Sequence, residues 1–249
     1  TLLFLNLLKW QGKRAWRTGV IAGFAHLTRP TLLYFLPVIW AWQWLIKKVP
    51  LKYIALGIFL FVLMVVPWGV RNNFALGQFH IGTTGSGQAL WEGNNPWNDN
   101  GGVSSEFSDP LAYLAELPQG LSELETDQWK KDMAVAYIKS DPNNFFELAI
   151  KKFVRFWNVW PNSVDYQSWG FKLIALLSFG PILLLSLSAV FVFRQKFSEL
   201  SIIYGFVGYY TVIHMITIGS IRYRFPLEPL LVALAAAVLA KLIFGNTEE

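Results

Sequence analysis

Cysteine is absent from the 249 residues. Disulfides, thiolate metal sites and cysteine nucleophiles are therefore excluded. Histidine is nearly absent: His26, His80 and His214 are scattered along the chain, with no metal-ligand spacing. Charge is scarce too, at 15% of residues. No basic, aromatic-interleaved face suited to nucleic acid is visible. Gly85-Ser86-Gly87 lacks the Lys-Ser/Thr and the βαβ context of a phosphate loop. There is no internal repeat and no low-complexity linker.

What remains is apolar. Hydrophobic residues make up 54% of the chain, including 12 Trp and 20 Phe. That composition is ordinary for a polytopic membrane protein and poor for a soluble domain. The net charge of +5 is less informative than its segregation. Lys9, Lys13, Arg14 and Arg17 cluster in one connector, Lys47, Lys48 and Lys52 in a second, Arg194 and Lys196 in a third. Clustered Lys and Arg mark cytoplasmic loops. Between them the apolar segments 18–27, 31–46, 53–70, 170–193, 200–218 and 227–244 alternate in direction without conflict. The first two meet at Thr28-Arg29-Pro30, where proline disfavours a helical step. The opening apolar run, 1–8, is too short to span and has no signal-peptide layout. The chain therefore reads as the C-terminal part of a longer one, with a partial span at its start.

Residues 71–168 contain no spanning segment but hold 12 of the 16 acids, which fits a translocated, water-facing region. Its first part is rich in Gly and Asn and predicts turns. Its second part predicts helices over 109–117, 121–139 and 142–159. The last is amphipathic: Phe146, Ile150, Phe153, Trp157 and Trp160 share helical spacing, while Lys151, Lys152 and Arg155 share another face. It is expected to lie along a membrane surface. The expected fold class is thus an all-α polytopic membrane protein of about six spans plus a partial one. Its parts are membrane helices in 1–70, a mixed loop and helical extracytoplasmic region in 71–168, and membrane helices in 169–249.

With the basic loops assigned inside, Arg29, Arg71, Arg222 and Arg224 remain at the outer edge, where positive charge is unusual. Guanidinium offers a rigid fork of donors matched to phosphate oxygens. Arg222 and Arg224 precede Pro226 at a helix start, where backbone donors also favour anions. Headgroup snorkelling or pairing with an acid such as Glu228 is the alternative use. The run Trp91-Glu92-Gly93-Asn94-Asn95-Pro96 mixes an aromatic face with amide and carboxylate groups, as sugar binding requires. The same residues also suit an ordered turn. Glu92 alone is weak as a general base, having no partner carboxylate.

Five stretches occur in order: Ala25-His26-Leu27-Thr28-Arg29-Pro30, Pro67-Trp68-Gly69-Val70-Arg71-Asn72, Gly93-Asn94-Asn95-Pro96, Lys152-Phe153-Val154-Arg155-Phe156-Trp157 and Arg222-Tyr223-Arg224-Phe225-Pro226. Together they resemble the C-terminal half of integral-membrane C-type glycosyltransferases. The nearest branch is the bacterial group similar to protein O-mannosyltransferases and the lipid A aminoarabinose transferase. The resemblance implies a polyprenyl-phosphate sugar donor and an inverting transfer to a glycan, lipid or protein acceptor. It places the reaction at the outer face of the bacterial inner membrane. It also implies that Arg222 and Arg224, then Arg71, contact the lipid phosphate, and Arg29 joins them as a candidate from its place at the outer edge. Trp91, Glu92, Asn94, Asn95 and Tyr223 are the candidates on the sugar or acceptor side. The catalytic carboxylate is expected upstream of residue 1, so neither Glu92 nor Asp99 receives that role, and residues 1–249 alone are expected to be inactive. No cofactor or metal is evident. A ligase using a pyrophosphate-linked glycan and a polytopic transporter or flippase are the rival readings.

Overall fold

A computed structural model describes residues 2–9, 12–104, 107, 109, 120–162 and 166–245. Among them the regular structure is entirely helical. In chain order the α-helices are α1 (Leu2–Lys9), α2 (Arg17–Thr28), α3 (Leu36–Leu45), α4 (Leu51–Leu76), α5 (Ser86–Gly93), α6 (Glu123–Ser140), α7 (Pro142–Trp157), α8 (Trp169–Val192), α9 (Phe197–Ile216) and α10 (Glu228–Phe244). The expected helix over 109–117 falls almost wholly outside the described residues.

Three segments are long and apolar enough to cross a membrane: Leu51–Leu76, Trp169–Val192 and Arg194–Ile216. Helix α10, at 17 residues, rises about 25 Å and sits at the lower limit for crossing the hydrocarbon core. The expected segments 18–27 and 31–46 are shorter still as helices. Arg29 is extended, at φ −149° and ψ 100°, and ends α2. Pro30–Phe35 is then a 3₁₀ turn leading into the ten residues of α3. Proline at the head of each piece explains the break, since it removes an N–H and restricts the residue before it.

The chain divides into two compact units. Unit 1 holds residues 1–83 and 196–206. Here α2 packs on α4 at glycine: a Cβ on Gly19 would stand 1.8 Å from the Gly57 carbonyl oxygen. Only the missing side chain lets the two backbones meet. A buried polar chain fixes the neighbourhood, with Gln43 Nε2 donating to Thr18 Oγ1 (2.9 Å) and Thr18 to Asn6 Oδ1 (3.1 Å). Helix α4 runs through Pro67 and six residues beyond the expected end at 70. It stops at Gly77, whose φ of +74° suits glycine at a helix C-terminus.

Unit 2 holds residues 84–195 and 207–249. Helices α8 and α10 lie side by side, with Gly180, Ser186 and Ala189 of α8 buried and Leu230, Leu231 and Leu234 of α10 buried. Small residues on one helix and branched ones on the other let the axes approach. Helices α5 and α6 pack together around a core of Trp91, Phe107 and Ala134. Helix α6 opens with a complete capping box, Ser122 with Glu125.

Gly19→Ala is expected to lower stability by about 3 kcal/mol, because a methyl group there forces two backbones apart. Gly170→Ala, which meets nothing within 4 Å, is expected to change it by less than about 0.5 kcal/mol. Thermal melts in detergent separate the two.

Candidate functional site

Turns were expected over 85–96, yet Ser86–Gly93 forms α5. The reason is side-chain capping. The last carbonyls of a helix have no partner within it. Asn94 Nδ2 donates to Leu90 O (2.8 Å), and Asn95 Nδ2 to Trp91 O (2.8 Å) and Glu92 O (3.1 Å). Asn98 Nδ2 adds a bond to Glu92 O (2.8 Å) and its Oδ1 accepts from Gly101 N (2.7 Å). The asparagines that suggested turns from sequence close the helix instead.

This cap is tied to the segment joining α9 to α10. Asn94 Nδ2 also donates to Ile216 O (2.8 Å). Lys152, fully buried on α7, donates from Nζ to Asn94 Oδ1 (2.9 Å) and Ile216 O (3.3 Å). Three glycines make the approach possible. A Cβ on Gly93 would stand 1.8 Å from Thr217 O; on Gly219, 2.5 Å from Lys152 Cα; on Gly101, 2.9 Å from Lys152 Cγ. Gly219 N donates to Gly101 O (3.1 Å), and Arg155 Nε to Gly219 O (3.2 Å). Of the three basic residues grouped on one face of α7, Lys151 and Arg155 are half-buried and Lys152 is interior. Lys152 continues the buried line of Leu148, Ala149 and Phe156, a spacing of about one helical turn.

The segment 219–224 ends in a 3₁₀ turn, Ile221–Arg224. Its two arginines differ. Arg224 is 4% exposed. Its Nη1 donates to Phe156 O (3.1 Å) and Asn158 O (3.0 Å), and its Nε lies 3.5 Å from Glu228 Oε1. Its guanidinium carbon stands 3.6 Å above the Phe179 ring. Burial lowers its pKa, and Glu228 opposes that shift. Arg222 is exposed, with its guanidinium 5.2 Å from the Tyr223 ring centroid. Below Tyr223 the rings continue as a column: His214 at 5.0 Å and 10°, then Phe156 at 5.2 Å and 14°. Both arginines, with Ile221, Phe225 and Glu228, line a cleft of about 400 Å³.

The other candidates are placed as follows. Trp91 is 2% exposed and meets Trp97 and Trp129 edge-on, so its faces are interior, not open to a sugar. Asn94 and Asn95 are buried and bonded to backbone. Glu92 is half-buried, and its carboxylate accepts from Ser104 N (2.7 Å) and Gln88 Nε2 (3.2 Å). Tyr223 belongs to the ring column. Arg29 and Arg71 lie in unit 1. Arg71 is exposed, donates to Asn72 Oδ1 (2.9 Å) and stands 5.0 Å from the Trp68 ring centroid. Arg29 is half-buried at the extended break after α2. Among the described residues no group of three or more His, Asp or Glu side chains is placed to hold a metal. Lys152, His214 and Phe156 were not singled out from sequence as site residues. The 148-149-152-156 line was the available signal for Lys152.

Comparison with protein-family models, with curated proteins and with solved structures found no match.

Burial pushes the Lys152 ammonium down from 10.5 to about 7. Between those pH values the unfolded chain holds a proton that the folded protein has shed. Stability therefore rises with pH across that window and is independent of this group outside it. The slope is expected to reach at most about 1.4 kcal/mol per pH unit. Denaturation of wild type and Lys152→Met between pH 7 and 10 checks this, and the slope should be missing from the variant.

Proposed function

We propose that the protein is a membrane glycosyltransferase that moves a sugar from a polyprenyl-phosphate donor to an acceptor at the outer face of the bacterial inner membrane. The observation that carries this reading is the arginine cleft beside apolar helices. Arg224 rests on Phe179, about ten residues and roughly 15 Å of helix rise below the start of α8. Past Phe179, α8 continues inward with Leu184, Leu187 and Phe191 exposed. A lipid tail has an apolar wall there, and its phosphate has a cation at the head of it.

The two arginines divide the work. Arg224 is committed to carbonyls and to Glu228, so it fixes the turn. Arg222 is exposed and presents its fork of donors to the cleft. As the glycosidic bond breaks, negative charge grows on the leaving phosphate oxygen, and Arg222 stabilises it. The packed column Tyr223–His214–Phe156 supports that guanidinium from below. In this reading residues 71–168 are extracytoplasmic and carry the acceptor, a glycan, lipid or protein. Six spans and a partial one form the membrane part, with α10 among them. Neither Glu92 nor Asp99 is assigned as the base, and no nucleic acid, cofactor or metal is invoked.

Transfer from a polyprenyl-phosphate sugar by the full-length protein in proteoliposomes tests the reading. Arg222→Ala is expected to lower kcat about 100-fold without changing the melting temperature, since the side chain is exposed. Arg222→Lys should recover part of the rate. Wild-type turnover by Arg222→Ala removes the proposal. Turnover only with a pyrophosphate-linked glycan, or substrate flux with no bond made, would favour a ligase or a transporter instead.

A further inference from the structure

A second cleft of unit 2 lies apart from the arginines. It measures about 330 Å³ and is lined by Trp160, Trp169, Lys172, Leu173 and Leu176. Four of the five are apolar or aromatic, and the one cation stands at the top of a helix long enough to cross a membrane. Lys172 Nζ lies 5.9 Å from the Trp169 ring centroid. Lys172 is half-buried, as a lysine at the headgroup layer is when its aliphatic stem covers apolar surface. Trp160 and Trp169 are exposed. Indoles with one wet edge are favoured at that depth.

The surroundings point the same way. On α7 the side chains of Phe146, Ile150, Phe153 and Val154 are all exposed, while the opposite line, Leu148 to Phe156, is buried. An apolar stripe facing out of a helix that is packed on its other side belongs against a bilayer surface. Trp157 ends α7, and α8 begins at Trp169, so the cleft lies where the chain passes from surface helix to spanning helix.

We propose that this cleft binds an anionic glycerophospholipid, with the phosphate on Lys172 and the upper acyl chain on Trp160, Trp169, Leu173 and Leu176. The lysine supplies the selectivity for negative headgroups and the apolar lining supplies most of the adhesion. The inference does not depend on the transferase reading: it requires only that α8 sit in a membrane.

Native mass spectrometry of the detergent-purified protein, titrated with phosphatidylglycerol or phosphatidylcholine of identical chains, tests it. Wild type is expected to retain phosphatidylglycerol roughly fivefold more tightly, the effect of one cation near the headgroups. Lys172→Gln should bring the two lipids level, and Lys172→Arg should keep the preference, which guards against a folding defect. Lys241→Gln, a control at the far end of α10, should change nothing. Equal retention of both lipids by wild type overturns the proposal, as does an unaltered preference in Lys172→Gln. Displacement of bound phosphatidylglycerol by equimolar polyprenyl phosphate would also overturn it, since the cleft would then belong to the lipid carrier.

Discussion

Buried basic side chains that donate to the ends of helices hold unit 2 together. A helix leaves its final carbonyls without internal partners and carries a partial negative charge there. Lys152 donates to Ile216 O at the end of α9, and Arg224 donates to Phe156 O near the end of α7. Each side chain therefore does two things at once. It satisfies a carbonyl near a helix terminus and it joins that terminus to another part of the chain. The segment 216–224, which ends in the turn, is bonded in this way at both its ends. A buried cation is costly in isolation. At Arg224 the Glu228 carboxylate opposes that cost, whereas burial lowers the Lys152 pKa to about 7.

Much of this was legible in the sequence, but unevenly. The long apolar run ending near Pro67 gave α4, and the amphipathic run after Pro142 gave α7, because periodicity and apolar length are local properties. The break at Arg29 followed from Pro30 alone. The end of α4 lies past the apolar segment 53–70 because the polar residues that close that segment, Arg71, Asn72 and Asn73, do not break a helix. In the structure Gly77, whose backbone can take a positive φ, is what ends the helix. Helix α5 was hidden for a different reason. Asn94, Asn95 and Asn98 are turn formers by preference, and only the folded chain shows them spending their amides on the carbonyls of the preceding helix. The inward face of α7 was ambiguous, since both of its faces carry large apolar residues. Its orientation was settled by what it packs against.

The candidate site shows the same division. The sequence marked Arg222 and Arg224 as a pair, and the fold separates them into an exposed group and an interior one. That distinction rests on contacts with Phe156, Asn158 and Phe179, residues far away in the chain. The ring column of Phe156, His214 and Tyr223 likewise has no local signature. Trp91, attractive as a sugar platform by residue type, became the centre of a small core because α6 covers it.

Gly219 stands more than a hundred residues from Gly93 and Gly101, yet each of the three admits nothing larger than hydrogen, and two of them abut the same residue, Lys152. A smaller side chain at 152 would not make room at 219, because a Cβ there meets the Lys152 Cα and carbonyl oxygen, and Gly101 also sits at φ +77°, which other residues rarely adopt. Each of the three positions is thus held to glycine by main chain, and relief would need a shift of the backbone itself.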